Sequence, residues 1–272
     1  MKTLYISDLD GTLLDGKAKL QLTAVYTLNA LIARGLNFTY ATARSWTSAN
    51  EIIKGLNIQL PVITYNGAFI VNHDSGDIIR GFTMEHEKFS FILSYANEHN
   101  LYPLVYTLID GVEQVMWIRN HETPGINSYL NVRRNDRRLM GVASWRELAQ
   151  GQVYYVTFIG TQSELTPLAA IVESETGYSS VFSKDIYSDD YWLEIYDGQA
   201  SKAAGLRWLR DHFGFSRVIC FGDNLNDIPM FGAADEAYAV SNANHELKHV
   251  AKGIIGSNEE NGVIEFIKKS YL

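Results

Sequence analysis

The chain has 272 residues, 46% apolar and 20% charged, which excludes a disordered or fibrous protein and allows two domains, or one core carrying a large insertion. A formal charge of −8 argues against a nucleic-acid-binding surface, and an anionic substrate would need locally clustered positive charge. The single cysteine, Cys220, excludes an internal disulfide; within Val218-Ile219-Cys220-Phe221 it reads as a buried strand residue in a reducing compartment.

A short apolar strand over 4–7 opens the chain. Lys2 alone precedes it and Asp8 interrupts it, so it does not read as a signal peptide. No window approaches the ~18 apolar residues of a membrane span, and the expected setting is the cytoplasm. A helix near 23–34 closes at Gly35, a strand follows at 36–41, then a helix near 46–54 closing at Gly55. Val62–Tyr65 is another strand, and residues 68–82 read as a hairpin turning at "NHDSGD". Such alternation implies a parallel sheet with helices on its faces. From about 84 the pattern changes. A helix (85–99) precedes the strands "LYPLVYTL" and "EQVMWI", separated by Asp110-Gly111, a hairpin signal. Strand 153–160, a helix from Ser163 and strands near 178–183 and 191–196 complete an antiparallel sheet with helices on one side. From about 200 the parallel pattern returns: helix 201–212, strand 217–221, a helix from about 226, strand 237–240, a short helix near 244–250 and a last helix 259–270. The expected fold is α/β: a Rossmann-like parallel-sheet core from residues 1–83 and 191–272, interrupted by an α+β cap over 84–190.

Ligands of parallel α/β sheets bind beyond the carboxyl ends of the strands, and four features fall there. The first is Asp8-Leu9-Asp10-Gly11-Thr12. Positions i and i+2 of a strand share a face, so Asp8 and Asp10 sit side by side. Two carboxylates about 4 Å apart repel by roughly 4 kcal/mol at an effective dielectric near 20, so a cation or a proton must offset them. The others are Thr42-Ala43-Arg44, Lys202, and "GDNLND" at 222–227. Together they are ingredients for phosphoryl transfer. A carboxylate can attack phosphorus, a second acid can protonate the leaving oxygen, and a threonine, a lysine and backbone N–H groups can hold the phosphoryl oxygens. The acids Asp8, Asp10, Asp223 and Asp227 need a cation, and an all-oxygen donor set favours Mg²⁺.

In this order, "DLDGT", "ATAR", Lys202 and "GDNLND" closely resemble the haloacid dehalogenase (HAD) superfamily of phosphohydrolases. The insertion, "YNGA" at 65–68 and the tail "NANHELKHVA" resemble its Cof-type subfamily. The resemblance implies that Asp8 is the nucleophile and a metal ligand. It makes Asp10 the general acid/base, with its backbone carbonyl also on the metal, and Asp223 the third protein ligand. Asp227 supports the metal directly or through water. Thr42, Lys202 and Asn226 hold the phosphoryl group, helped by the N–H groups of Leu9 and Ala43. The implied activity is Mg²⁺-dependent hydrolysis of small phosphomonoesters, sugar phosphates foremost, through an aspartyl-phosphate. The cap selects the substrate, no nucleic acid or membrane partner is involved, and the chain is a monomer or weak homo-oligomer. Two departures stand out: Ala43 replaces a usual glycine, strained only if its φ is positive, and a proline common before the lysine motif is absent.

Ordinary readings compete with each feature alone. Asp-Gly marks turns, Lys202 could be a solvated helix residue, Thr42 a satisfied strand-end hydroxyl, and Asn226 a helix cap. "HELKH", His245 to His249, matches a zinc-protease pattern but sits on a short helix capped by Asn244 with no third ligand nearby. The other histidines, at 73, 86, 99, 121 and 212, read as solvent-facing. The run Arg133, Arg134, Arg137, Arg138 reads as a solvated face rather than an anion-binding arm. A sugar phosphomutase using the same aspartyl-phosphate, and a non-catalytic phospholigand-binding protein, are the alternatives.

Overall fold

The computed structural model describes residues 2–185 and 188–271. The chain divides into two compact units, Met1–Gly81 with Ala200–Leu272, and Phe82–Gln199.

The first unit is built on a five-stranded parallel sheet. Thr3–Ser7 lies at its heart, between Arg217–Gly222 on one side and Asn37–Tyr40 on the other. Glu236–Val240 and Gly253–Ile255 extend it beyond Arg217–Gly222. The central strands are buried on both faces: Leu4, Ile6, Val218, Cys220 and Phe221 have no exposed surface, as a parallel sheet covered by helices requires. A single parallel bridge, Ala41 to Ile63, continues to Val62–Thr64, which begins an antiparallel meander with Phe69–Val71 and Ile78–Gly81. Gly205 of the helix Lys202–Phe213 packs on Ile63; a Cβ there would lie 2.6 Å from the Ile63 Cδ1. Gly253–Ile255, a strand of three residues, is too short to show a period and was not expected.

The second unit is a six-stranded sheet in the order Ser179–Lys184, Tyr191–Tyr196, Gln152–Gly160, Pro103–Ile109, Val112–Ile118, Leu139–Val142. All its pairings are antiparallel except that of Val112–Ile118 with Leu139–Val142. The compact unit runs to Gln199 rather than stopping at 190, because Tyr191–Tyr196 pairs with Gln152–Gly160 and Ser179–Lys184. One face packs on the helices His86–Glu98 and Gln162–Ile171 through Phe89, Ile92, Val105, Val156, Leu165 and Leu193. A third helix, Pro124–Val132, corrects the expectation that helices lie on one side only. Its Tyr129 meets Trp192 and hydrogen-bonds Tyr106, whose strand neighbours Leu193 and Val105 belong to the opposite face. Thr123 caps this helix by accepting the Ile126 N–H, with proline at its first position.

Among the described residues, no helix is long and apolar enough to cross a membrane. Arg138 pairs with Asp136 and Glu113, the Arg133 guanidinium lies 4.0 Å from the Tyr129 ring centroid, and the Arg134 Nε donates to the Asn131 carbonyl at 3.3 Å, so three of the four arginines are structurally engaged. His73 is buried, against expectation, its Nε2 3.3 Å from the Leu56 carbonyl and its ring edge-on to Tyr40. His86, His99, His121 and His212 are exposed.

Candidate active site

Asp8 leaves the central strand with its N–H still bonded to the Phe221 carbonyl, 3.0 Å away, which ties the first motif to the strand carrying the last. Its side chain is almost wholly buried. The Lys202 Nζ lies 2.5 Å from Asp8 Oδ1 and 2.7 Å from Asp227 Oδ1. Lys202 is only 2% exposed, which sets aside the reading of a solvated helix residue. Ser201 caps its helix by accepting the Ala204 N–H, so the missing proline is replaced by an ordinary polar cap.

Asp227 has no exposed surface, and its second oxygen accepts the N–H groups of Asp223 (3.0 Å) and Asn224 (3.2 Å). It is thus the anchor that curls the "GDNLND" loop around the lysine. The cap of this loop is Asn224, paired with Asp227, and not Asn226, which lies inside the turn Leu225–Asp227. The backbone must come close here: a Cβ on Gly222 would lie 2.6 Å from Asp227 Oδ2, and one on Gly11 2.3 Å from Asp223 Oδ2. Gly11 also has a φ of +73°, so a side chain there is excluded twice. Thr12 donates its hydroxyl to Asp223 at 3.2 Å.

Asp8, Asp223 and Asp227 each offer an oxygen within 4.8 Å of the others. Three carboxyl groups meet one ammonium in a buried space, so ionising all three would leave an excess of negative charge that a dication would offset. All donors are oxygens, the set that hard cations such as Mg²⁺ prefer. The electrostatics agree. Burial pushes the Asp8 carboxyl well above its ordinary pKa despite Lys202, with Asp227, Asp223 and Asp10 adding to the rise. Burial, then the Asp227 charge, raises Asp223 to about 7. Burial opposes the Lys202 charge, but Asp227 and Asp8 outweigh it and hold the ammonium above the usual lysine range.

The carboxylate of Asp10 lies outside this cluster. Arg44 grips it with two bonds, Nε to Oδ2 at 2.7 Å and Nη2 to Oδ1 at 2.5 Å. A fork of this kind fixes both position and plane of a carboxylate. The sequence places Arg44 at a strand end within the "ATAR" motif but gives it no role, because its partner is 34 positions away. Thr42 is fully buried at the end of Asn37–Tyr40, its Oγ1 accepting the Arg44 N–H at 3.1 Å. Ala43 is not among the residues with positive φ, so the methyl group in place of glycine carries no backbone strain. Leu9 is fully buried behind the loop. Asn226 donates to Asn66 Oδ1 at 3.2 Å.

The family model of the haloacid dehalogenase-like hydrolases matches residues 5–267. The chain belongs to that family. A pyridoxal phosphate phosphatase of Escherichia coli is 27% identical over 96% of this chain and 95% of its own. A 5-amino-6-(5-phospho-D-ribitylamino)uracil phosphatase of Bacillus subtilis is 24% identical over 98% and 97%. A crystal structure of a haloacid dehalogenase-like hydrolase from Bacteroides thetaiotaomicron superposes with a TM-score of 0.82 at 22% identity, covering 99% of this chain and all of that one. The HELKH pair, in contrast, is simply a contact: the two Nε2 atoms are 3.1 Å apart, and among the described residues no third ligand joins them.

Proposed function

We propose that this haloacid dehalogenase-like phosphatase hydrolyses small phosphomonoesters in the cytoplasm, sugar phosphates foremost, through an aspartyl-phosphate on Asp8 and with Mg²⁺. The observation that carries the reading is the division of labour between the two aspartates: Asp8 sits in the buried acid cluster against Lys202, while Asp10 is held apart by Arg44. Asp8 is thereby placed with the cation-binding groups, and Asp10 is oriented apart from them by the Arg44 fork, which pairs with a carboxylate, the form that takes a proton from water in the second step.

An oxygen of Asp8 attacks phosphorus, and the bond from phosphorus to the leaving oxygen breaks as Asp10, in its protonated form, gives that oxygen a proton. Asp10, now a carboxylate, takes a proton from water as the water oxygen attacks phosphorus. The bond to Asp8 breaks, and inorganic phosphate leaves. Lys202, Thr42, Asn226 and the N–H groups of Leu9 and Ala43 hold the phosphoryl oxygens. Asp8, Asp223 and the Asp10 carbonyl would hold Mg²⁺, with Asp227 supporting them from its bonds to Lys202 and the loop. When bound, the ion supplies charge that offsets the acid cluster and the phosphate dianion. The inserted unit is assigned the choice of ester. The curated relatives carry names for two different small phosphates, consistent with a shared core chemistry and a variable selector.

Phosphate release from a panel of phosphomonoesters tests this. Release that needs Mg²⁺, stops in EDTA and ranks the esters is expected. A sugar-phosphate isomer forming without net phosphate would indicate a mutase, and Mg²⁺ and phosphate binding without turnover a sensor.

A further inference from the structure

Tyr65, Asn66 and Gly67 have positive φ in succession, +49°, +52° and +104°. A bulky aromatic residue in this region is a genuine outlier, and strain of this kind persists where the surroundings over-determine the backbone. The surroundings here are three of the loops that carry the phosphate-holding groups. The Tyr65 and Asn66 N–H groups donate to the carbonyls of Arg44 and Thr42, each at 3.0 Å. Gly67 lies against the backbone just before Lys202, where a Cβ would fall 2.2 Å from the Ser201 carbonyl oxygen. Asn66, 2% exposed, accepts the Asn226 amide N–H on its Oδ1. One turn of three residues thus touches the Thr42 loop, the start of the Lys202 helix and the Asn226 loop.

We infer that the Tyr65–Gly67 turn is the spacer that sets these three groups at the separation a phosphoryl group needs, and that Asn66 is the positioning residue for Asn226. The inference rests on the phosphatase reading above. An amide held by one N–H is restricted to one orientation, and its second N–H is the one an anionic oxygen would take. Asparagine suits position 66 because it tolerates a left-handed backbone and carries a carbonyl acceptor. Glycine would supply the first property and not the second, which separates the backbone role from the side-chain role.

The test is inorganic phosphate as a product inhibitor, with Mg²⁺ present, in wild type, Asn66→Gly, Asn226→Ala and the double variant. Loss of one positioning hydrogen bond predicts a rise in the inhibition constant of about tenfold in Asn66→Gly. Its melting temperature and half-saturating Mg²⁺ stay near wild type, because the turn conformation and the carboxylates are retained. Asn226→Ala weakens phosphate to the same or a greater degree, and the double variant no further than Asn226→Ala alone. A folded Asn66→Gly with wild-type phosphate inhibition, even if less thermostable, overturns the inference. So do additive losses in the double variant, or an Asn226→Ala protein that binds phosphate normally, the arm that decides the matter if Asn66→Gly does not fold. A wild type that phosphate does not inhibit would instead overturn the phosphate-site reading itself, and this inference with it.

Discussion

Lys202→Met isolates the electrostatic core of the site. Methionine keeps most of the length and volume of lysine, so packing changes little and charge changes by one. Nζ lies 2.5 Å from Asp8 and 2.7 Å from Asp227, and the ammonium is almost fully enclosed. At an effective dielectric near 20, each contact is worth roughly 6 kcal/mol of gross attraction, most of it offset by the cost of desolvating the charges. Removing one partner leaves the others buried and unpaired, which typically costs about 3–5 kcal/mol. Asp8 can escape part of this by protonating, whereas Asp227 keeps the N–H donors of Asp223 and Asn224 on its other oxygen. A loss of about 3 kcal/mol is therefore expected in urea unfolding at neutral pH in EDTA. Added Mg²⁺ should recover part of the stability, because an ion among the carboxylates replaces some of the missing positive charge. Phosphate release should remain below about 1% of wild type even in saturating Mg²⁺, since the phosphoryl oxygens lose a cationic partner. A variant within about 1 kcal/mol of wild type in EDTA would refute the claim that Lys202 neutralises a buried acid pair.

Two further outcomes follow from individual contacts. Arg44→Met should free the Asp10 carboxylate, and since general acid catalysis matters most for poor leaving groups, kcat should fall about 100-fold on an alkyl phosphate but less than tenfold on p-nitrophenyl phosphate; equal losses on both esters would remove Arg44 from the proton-transfer role. Glu236 accepts from Tyr238 and pairs with Lys252 and Arg217, in that order of influence, which lowers its pKa to about 2. Because the folded value lies below the unfolded one, its contribution is complete above about pH 4.5 and fades as pH falls towards about 2. Surface pairs are screened, so Glu236→Gln should cost about 1 kcal/mol at pH 6, a difference from wild type that shrinks towards zero near pH 2 in chemical unfolding; a difference independent of pH would contradict the assignment.

The parallel core was legible because its strands are short apolar runs, its first two helices are closed by Gly35 and Gly55, and its candidate site residues stand in short motifs at strand ends or, for Lys202, at a helix start. Asp8, Asp223, Asp227 and Lys202 are gathered as the motifs imply, and these need only the sheet order to meet. Side-chain partnerships across the chain were not legible. Asn66 and Asn226 are 160 positions apart, and nothing local to either announces the other. Asn226 reads as a cap from residue type alone, whereas the capping box needs an acid three positions on, which Asp227 supplies to Asn224 and not to Asn226. In the inserted unit, Thr123 and Pro124 mark the start of Pro124–Val132, but a helix of 9 residues is too short for its apolar period to stand out. Its packing on the second face of the sheet depends on Tyr129 meeting Tyr106 and Trp192, a contact set by strand register rather than local period.

The central claim is that phosphorus is transferred to Asp8 before water receives it. The most direct measurement is borohydride trapping during turnover of p-nitrophenyl phosphate with Mg²⁺, using Asp10→Asn to slow the second step. Peptide mapping should then find homoserine in place of aspartate at position 8, dependent on both substrate and Mg²⁺. Trapping at a different carboxylate, or undiminished phosphate release by Asp8→Asn, would contradict the account.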